Sequence, residues 1–396
     1  MTIRESKKLW FGVGVGLIWF FILLWPFMGI KPEGLEFAGA FKVVGYVAVA
    51  AVFCMFFYQV KEAGRLEALT NPMSSAAQSA KSIFDKAPTW LPLSLLLVGA
   101  LIYPQLTDRY AHDVAIQVLI YVCLGLGLNV VIGLAGLLDL GYIAFYGVGA
   151  YTYALMSINF GMSFWFCLPI AVVMAAIAGC IIGYPTLRMR GDYLAIVTLG
   201  FGEIFRLILL NWMELTNGPN GILGIARPEL FGYQFKSLSS LYYIILGIAI
   251  VTMIAVYRLN YSRIGRAWEA IREDETAAGL MGVNTFLIKL LAYAMGATFA
   301  GLAGAFFAAR MRFVGPESFT FLESAMVLAM VVLGGMGSIP GVILGVLALV
   351  VLPEVFRDFE LYRMLVFGGS MTLMMLVRPK GIWPAKRVGR RSEEMD

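Results

Sequence analysis

The chain has 396 residues, of which 60% are hydrophobic and only 14% are Asp, Glu, Lys or Arg. A soluble domain carries roughly a quarter charged residues, so a soluble globular protein is excluded. The net charge of +5 is a bias of particular loops, the kind that reports membrane orientation, and not a nucleic-acid signal.

The apolar runs are continuous and do not alternate, which excludes a β-barrel and points to an all-α polytopic membrane protein. Cys54, Cys123, Cys167 and Cys180 all fall in apolar runs and read as packing residues, with neither metal spacing nor a disulfide framework. His112 is the single histidine, which removes most histidine-based catalysis and metal chemistry.

In chain order, Arg4, Lys7 and Lys8 precede the apolar run 9–28. That run is longer than a signal-peptide core and no small-x-small cleavage site follows, so it reads as a retained first span. Further spans are expected near 38–58, 90–104, 114–138, 142–158, 164–183, 192–212, 242–259, 286–309 and 361–377. The stretch 140–187 has no Asp, Glu, Lys or Arg and is too long for one crossing; "SINFGMS", Ser157–Ser163, supplies the turn. The stretch 324–353 is also free of charge. As one helix it would reach about 45 Å, longer than the roughly 30 Å hydrocarbon core. "GGMGSIPG", Gly334–Gly341, breaks it into two short spans or a re-entrant pair, and either returns the chain to the side where it began.

Lys and Arg set the orientation. Arg4, Lys7 and Lys8 at one end, and Arg378, Lys380, Lys386, Arg387, Arg390 and Arg391 at the other, place both termini in the cytoplasm. Counting from the first span puts 61–89, 184–191 and 259–285 inside, in agreement with Arg188, Arg190, Arg263, Arg266 and Arg272. The parity suits ten full spans plus the broken pair. Residues 1–89 form a two-helix extension with a polar linker, 90–377 the transmembrane core with the charged segment 260–285, and 378–396 a basic cytoplasmic tail. "GATFAGLAGAFFA" repeats small residues every fourth position, Ala297, Gly301, Ala305 and Ala300, Gly304, Ala308, a pattern that lets helices approach closely in lipid. No internal repeat stands out.

Few polar groups lie inside the spans. Glu203 and Arg206 are three apart and can face one another on one helix, either as a lining or gating pair or as a neutralised structural pair. Asn129 either cross-links helices, the favoured reading, or meets a solute. Asp139 and Asp192 sit at cytoplasmic span ends and suit capping or interface roles, and Lys42 and Lys289 near span ends suit snorkelling. The Gly-rich runs 133–149 and 334–345 either expose backbone to a path or permit close packing. Tyr142, Tyr146 and Tyr151 read mainly as interfacial or packing aromatics. Candidate residues of a translocation path are Asn129, Gly136, Tyr142, Glu203, Arg206, Gly335 and Gly337.

The densest charge in this oily chain is "GRAWEAIREDETAAGLMGVN", Gly265–Asn284. If Arg263–Met281 is one helix, Ile264, Ala267, Trp268, Ile271 and Ala278 share a face, and Arg266, Glu269, Arg272, Glu273 and Asp274 mostly lie elsewhere. Interleaved signs exclude a polybasic lipid patch. The segment is then a helix resting on the membrane surface, or one that docks its buried aromatic in a groove of a soluble partner.

"IGRAWEAIREDETAAGLMGVN" resembles the cytoplasmic coupling segment of the permease subunits of branched-chain amino acid ABC importers. "LNVVIGLAGLLDLGYIAFYGVGAYTYAL", "LRMRGDYLAIVTLGFGEI", "TNGPNGI", "VLGGMGSIPGVILG" and "RPKGIWP" resemble the family in the same order, over about residues 115–384. The extra N-terminal spans look like those of its longer, LivM-type subunit. Against the general Glu-Ala-Ala…Gly pattern the chain has Glu269-Ala270-Ile271 and then Ala277-Ala278-Gly279.

The resemblance implies that Gly265, Arg266, Trp268, Ala270, Ile271, Arg272, Glu275, Ala278 and Gly282 couple the chain to an ATPase. It implies a bacterial inner-membrane complex with a second homologous permease, two cytoplasmic ATPase subunits and a periplasmic branched-chain amino acid-binding protein. No G-x-x-x-x-G-K-[ST] occurs in the chain, so ATP and Mg are expected on the ATPase partners, with no cofactor in this chain, no enzyme activity of its own, and tilting of the adjoining spans to open the path alternately to each side. A permease for urea or short amides is the alternative within the family. An ion-coupled secondary transporter would need intramembrane carboxylates, for which only Glu203 is a strong candidate. A membrane enzyme lacks a nucleophile–base pair or metal cluster.

Overall fold

The computed structural model describes residues 30–31, 34–35, 99–105, 107–189, 191–230, 233–355, 368 and 381–384. The chain divides into two compact units, Met1–Leu97 and Val98–Asp396. In the first, Ile30–Lys31 pairs antiparallel with Gly34–Leu35. The expected spans 9–28 and 38–58, Lys42, the linker, most of 90–104, all but one residue of 361–377 and the tail beyond 384 lie outside the described residues.

The second unit is helical. Helix α1 runs Arg109–Leu128 and widens into a π-helical turn, Asn129–Leu134. Then come α2 (Ile143–Phe160), α3 (Phe164–Thr186), α4 (Asp192–Asn211), α5 (Leu238–Asn260), α6 (Arg263–Glu273), α7 (Glu275–Leu280), α8 (Thr285–Met311), α9 (Phe321–Gly334) and α10 (Ile339–Val355). Six stretches among the described residues are long and apolar enough to cross a membrane: Arg109–Leu134, Phe164–Thr186, Tyr193–Asn211, Leu238–Asn260, Thr285–Met311 and Pro316–Gly334. The first ends four residues before the expected 138, because Gly136 turns the backbone into the left-handed region at φ 72°. The expected turn at 157–163 is shorter: α2 continues to Phe160, and Gly161, at φ 59°, ends it.

Helix α8 is the centre of the bundle and packs along α3 and α2. The repeated small residues are the reason. Ala297, Ala300, Ala305 and Ala308 are fully buried. A Cβ built on Gly304 would lie 2.0 Å from the Tyr146 carbonyl oxygen, and one on Gly301 2.4 Å from Ala175 Cβ. One stripe thus receives α2 and the other α3, backbone against backbone. Tyr146, Phe307 and Phe319 close an aromatic cluster at the far end, with ring centroids 5.3–6.4 Å apart. The tyrosines read as interfacial or packing groups are packing groups: Tyr142, Tyr146 and Tyr151 are buried.

The charge-free stretch 324–353 is a hairpin. Gly345 packs on Met330, and Gly341 on Gly334, so α9 and α10 run antiparallel. At 14 and 17 residues they reach about 21 and 26 Å, less than the ~30 Å core. Gly335, at φ 120°, and Gly337, at φ 87°, form the tip. The orphan carbonyls ending α9 are satisfied from the C-terminal motif: Ile382 N–H donates to Leu333 O at 2.9 Å and Trp383 N–H to Gly334 O at 3.0 Å.

Candidate functional site

The charged segment folds as two helices. Ser262 caps α6, its hydroxyl accepting the Gly265 N–H at 3.1 Å. Asp274 is extended (φ −153°, ψ 109°) and caps α7, accepting from the N–H groups of Thr276 and Ala277 at 2.8 and 3.0 Å. The single helix expected over Arg263–Met281 is therefore interrupted at Asp274, whose carboxylate competes for the backbone donors that a continuous helix would use. Asn284 then caps α8 through the Leu287 N–H.

The expected apolar face is real, and this chain itself covers it. Gly265, Trp268, Ile271 and Ala278 are buried. The Trp268 indole N–H donates to Ile288 O of α8 at 2.7 Å. The aromatic assigned to a partner's groove is thus an internal anchor, and a Trp sealed against its own bundle is unavailable to another protein. Gly265 sits where α5 turns into α6; a Cβ there would stand 2.2 Å from Leu259 O. Glu275 is also turned inward, to Lys289 Nζ at 2.6 Å. Lys289 is buried and pairs there; it does not snorkel.

The opposite side is open. Arg266, Ala270 and Gly282 are exposed, and Leu280 and Met281 are 85% and 86% exposed. Two adjacent large apolar side chains with almost no cover are unusual on a loop between spans.

Beneath α6 lies a joint of several elements. The Arg272 guanidinium donates to Gly133 O on the π-helical turn. Gly136 lies under the Arg272 stem. Asn129 is buried and its Oδ1 accepts the Gly337 N–H at 2.7 Å. The helix cross-link favoured for Asn129 is observed, and its acceptor is the tip of the α9–α10 hairpin. Gly335 packs on Trp383. Tyr142 donates from its hydroxyl to Gly296 O at 3.0 Å. Of the path candidates, Asn129, Gly136, Gly335 and Gly337 come together at this joint.

Asp139 lies beside the joint, between spans, and is fully buried. Its Oδ1 accepts the Gly141 N–H at 2.9 Å, and its Oδ2 has no partner. Burial pushes its carboxyl up to about 7, against the Gly141 N–H and the Thr198 hydroxyl, which pull it down. Asp192 is the first residue of α4, at the positive end of the helix as expected.

Glu203 and Arg206 are apart from all this. They pair at 3.0 Å on α4, with side chains 35% and 24% exposed, and Glu317 stands 3.9 Å from Arg206. No group of three His, Cys, Asp or Glu able to hold a metal occurs among the described residues. Sequence reasoning missed Leu280, Met281 and Gly133. For the first two, the signal was position: they close the Asp274-capped helix, where the bundle does not cover them.

The family model for "Branched-chain amino acid transport system / permease component" matches residues 110–376. The chain is 45% identical over 404 residues to the high-affinity branched-chain amino acid transport system permease protein LivM of Escherichia coli K12, covering 93% of each. It is 28% identical over 287 residues to the permease protein LivH of Salmonella typhimurium, covering 66% of this chain and 90% of that one. It is 26% identical over 305 residues to a probable branched-chain amino acid transport permease protein LivM of Methanocaldococcus jannaschii, covering 67% and 86%. No solved structure matches.

Proposed function

This chain belongs to the family of permease components of branched-chain amino acid transport systems, and from that premise we propose that it is a permease subunit of an ATP-driven importer of leucine, isoleucine and valine. The identity of 45% across 93% of both chains supports the solute assignment. The likeness to both LivM-named and LivH-named permeases supports a pair of homologous permeases, with this chain as the longer partner.

The observation that carries the coupling reading is the two-sidedness of α6–α7. Its inner face is sealed on the bundle by Trp268, Ile271 and Ala278, and it presents Arg266, Ala270 and bare Leu280–Met281 outward. Such a tip suits an ATPase groove in the cytoplasm. ATP and Mg bind on two ATPase subunits, and a periplasmic binding protein delivers solute to the opposite face. The chain sits in a bacterial inner membrane, with ten spans, the α9–α10 pair re-entrant, and both termini cytoplasmic. Residues 1–89 form the extension of the longer subunit type, ahead of the core 90–377. Nothing in the core is assigned a chemical step; the chain opens and closes a path.

The test is uptake of radiolabelled leucine into vesicles holding the assembled complex. Uptake that requires internal ATP and survives collapse of ion gradients supports the reading. Uptake driven by an ion gradient without ATP defeats it. Competition by valine and isoleucine but not urea separates the solute classes.

A further inference from the structure

The charges best placed to grip an ATPase, Arg272 and Glu275, are engaged inside this chain, on Gly133 O and Lys289 Nζ. The Lys289 pair ties α7 to α8, and the Trp268 indole ties α6 to α8. The Arg272 bond leads elsewhere. We propose that the Arg272–Gly133 and Asn129–Gly337 hydrogen bonds form one joint that delivers movement of α6 to the tip of the α9–α10 hairpin, with Arg272 and Asn129 as its positioning residues. This rests on the reading of α6–α7 as the segment moved by ATPase partners.

The local structure explains why the joint exists. The helix closes at Leu134, and a helix end leaves its last carbonyls without intrahelical donors. The Ala135 N–H turns back to Val130 O and the Leu137 N–H to Val131 O. The Gly133 carbonyl receives a cation, the favoured partner at the negative end of a helix. Arg272 reaches it because Gly136 has no side chain: a Cβ there would stand 2.8 Å from Arg272 Cγ.

The second bond depends on Gly133 itself. A Cβ on Gly133 would lie 2.1 Å from Asn129 Oδ1 and 2.5 Å from Gly337 N. The residue whose carbonyl holds Arg272 therefore also leaves the gap through which Asn129 meets the hairpin tip. On its other side the tip is held by Ile382 and Trp383 N–H. Each bond is directional, and Asn129 is buried, so slipping would strand a polar group away from water. A displaced α6 moves the π-helical turn, and the turn moves the tip. The other route, through α5 and α8, reaches the hairpin by side-chain packing, α5 on α10 and α1 on both hairpin helices, as where Gly125 meets Val331, Val342 and Val346; the joint adds directional bonds to it.

The test uses the complete complex in proteoliposomes, with ATP hydrolysis and leucine uptake measured side by side. Arg272→Met keeps the stem over Gly136 and removes the donors. Asn129→Leu removes the acceptor without touching α6. Each is expected to co-purify with the ATPase and hydrolyse ATP near the wild-type rate. Solute moved per ATP should fall by about tenfold, the scale of losing one hydrogen bond to a charged or buried group. Arg272→Lys, which retains a cationic donor, should recover part of the loss. A proportional fall in both rates, or normal stoichiometry in Asn129→Leu, overturns the joint.

Should both variants fail to assemble, a distance decides. Spin labels at Glu269→Cys on α6, exposed and outside the face assigned to the ATPase, and Met336→Cys at the tip are placed in a chain lacking Cys54, Cys123, Cys167 and Cys180. An unchanged separation between nucleotide-free and ATP-trapped states, while each label moves relative to α3, supports the joint. A changed separation overturns it. A wild-type complex without ATP-dependent uptake counts against the importer reading alone, because the distance experiment needs no transport.

Discussion

Asp139 shows what one buried atom does to stability. Its carboxyl is fully buried, with Thr198, Tyr142, Tyr293 and the Gly141 N–H around it and Oδ2 unpartnered. The ordinary value of 3.8 is raised to about 7, chiefly by loss of water. The unfolded chain ionises first, so between pH ~4 and ~7 the fold retains a proton that the unfolded state has released. Stability therefore falls as pH rises through that window, and the loss is complete above it. Asp139→Asn keeps an acceptor for Gly141 and cannot ionise. It should raise the thermal midpoint of the detergent-solubilised protein more at pH 8 than at pH 5, by a difference on the order of 2 kcal/mol. An equal gain at both pH values would show that folded Asp139 is already ionised at pH 5 and that its carboxyl is not raised. The residue was visible in the sequence as a charge at a span end. Its burial was not, because Thr198 arrives from a helix more than fifty positions away.

At the scale of elements, what repeats locally was readable and what depends on a distant neighbour was not. The small-residue stripes of α8 predicted close helix packing, and Gly304 meets the Tyr146 carbonyl. Gly304→Ala should cost about 1–3 kcal/mol through overpacking. Gly247→Ala on α5, where a Cβ meets nothing within 4 Å, should be neutral or stabilising. Thermal denaturation followed by size-exclusion chromatography compares the two; equal midpoints would mean that α2 gives way. The break at "GGMGSIPG" predicted a hairpin because glycine runs interrupt helices regardless of context. The charged segment misled in one respect. Its period of apolar residues continues through Ala278, yet Asp274 caps a new helix, a signal present in the letters Asp-Glu-Thr-Ala and outvoted by the longer pattern. Its aromatic was assigned outward because amphipathicity shows that a face is covered and not what covers it. Trp268→Ala should loosen α6 by about 3–5 kcal/mol and speed tryptic cleavage at exposed Arg263 and Arg266. Unchanged cleavage would mean that α6 is held by its other contacts.

At the scale of the molecule, the two least covered of the described spans differ in what they show. Only 28% of the apolar window of α3 and 22% of that of α4 is buried. The open side of α3 carries Phe166, Val173, Ile177 and Ile181, a surface lipid can cover. Helix α4 adds Glu203 and Arg206, part-exposed, with Glu317 74% exposed beside them. Hydrocarbon does not cover ionised groups without heavy cost, so this edge faces protein or water. In the proposed pair of permeases, α4 would face the second subunit across the path. Gly200 lies three residues before Glu203, and a Cβ there meets nothing within 4 Å. Gly200→Cys, in a chain stripped of its native cysteines, should react with a membrane-impermeant thiol reagent in the assembled complex, and excess leucine or a trapped nucleotide should change its rate. Ile177→Cys on α3 should stay unreactive in lipid. Labelling of Ile177→Cys with protection of Gly200→Cys would reverse the assignment and turn α4 toward the bilayer.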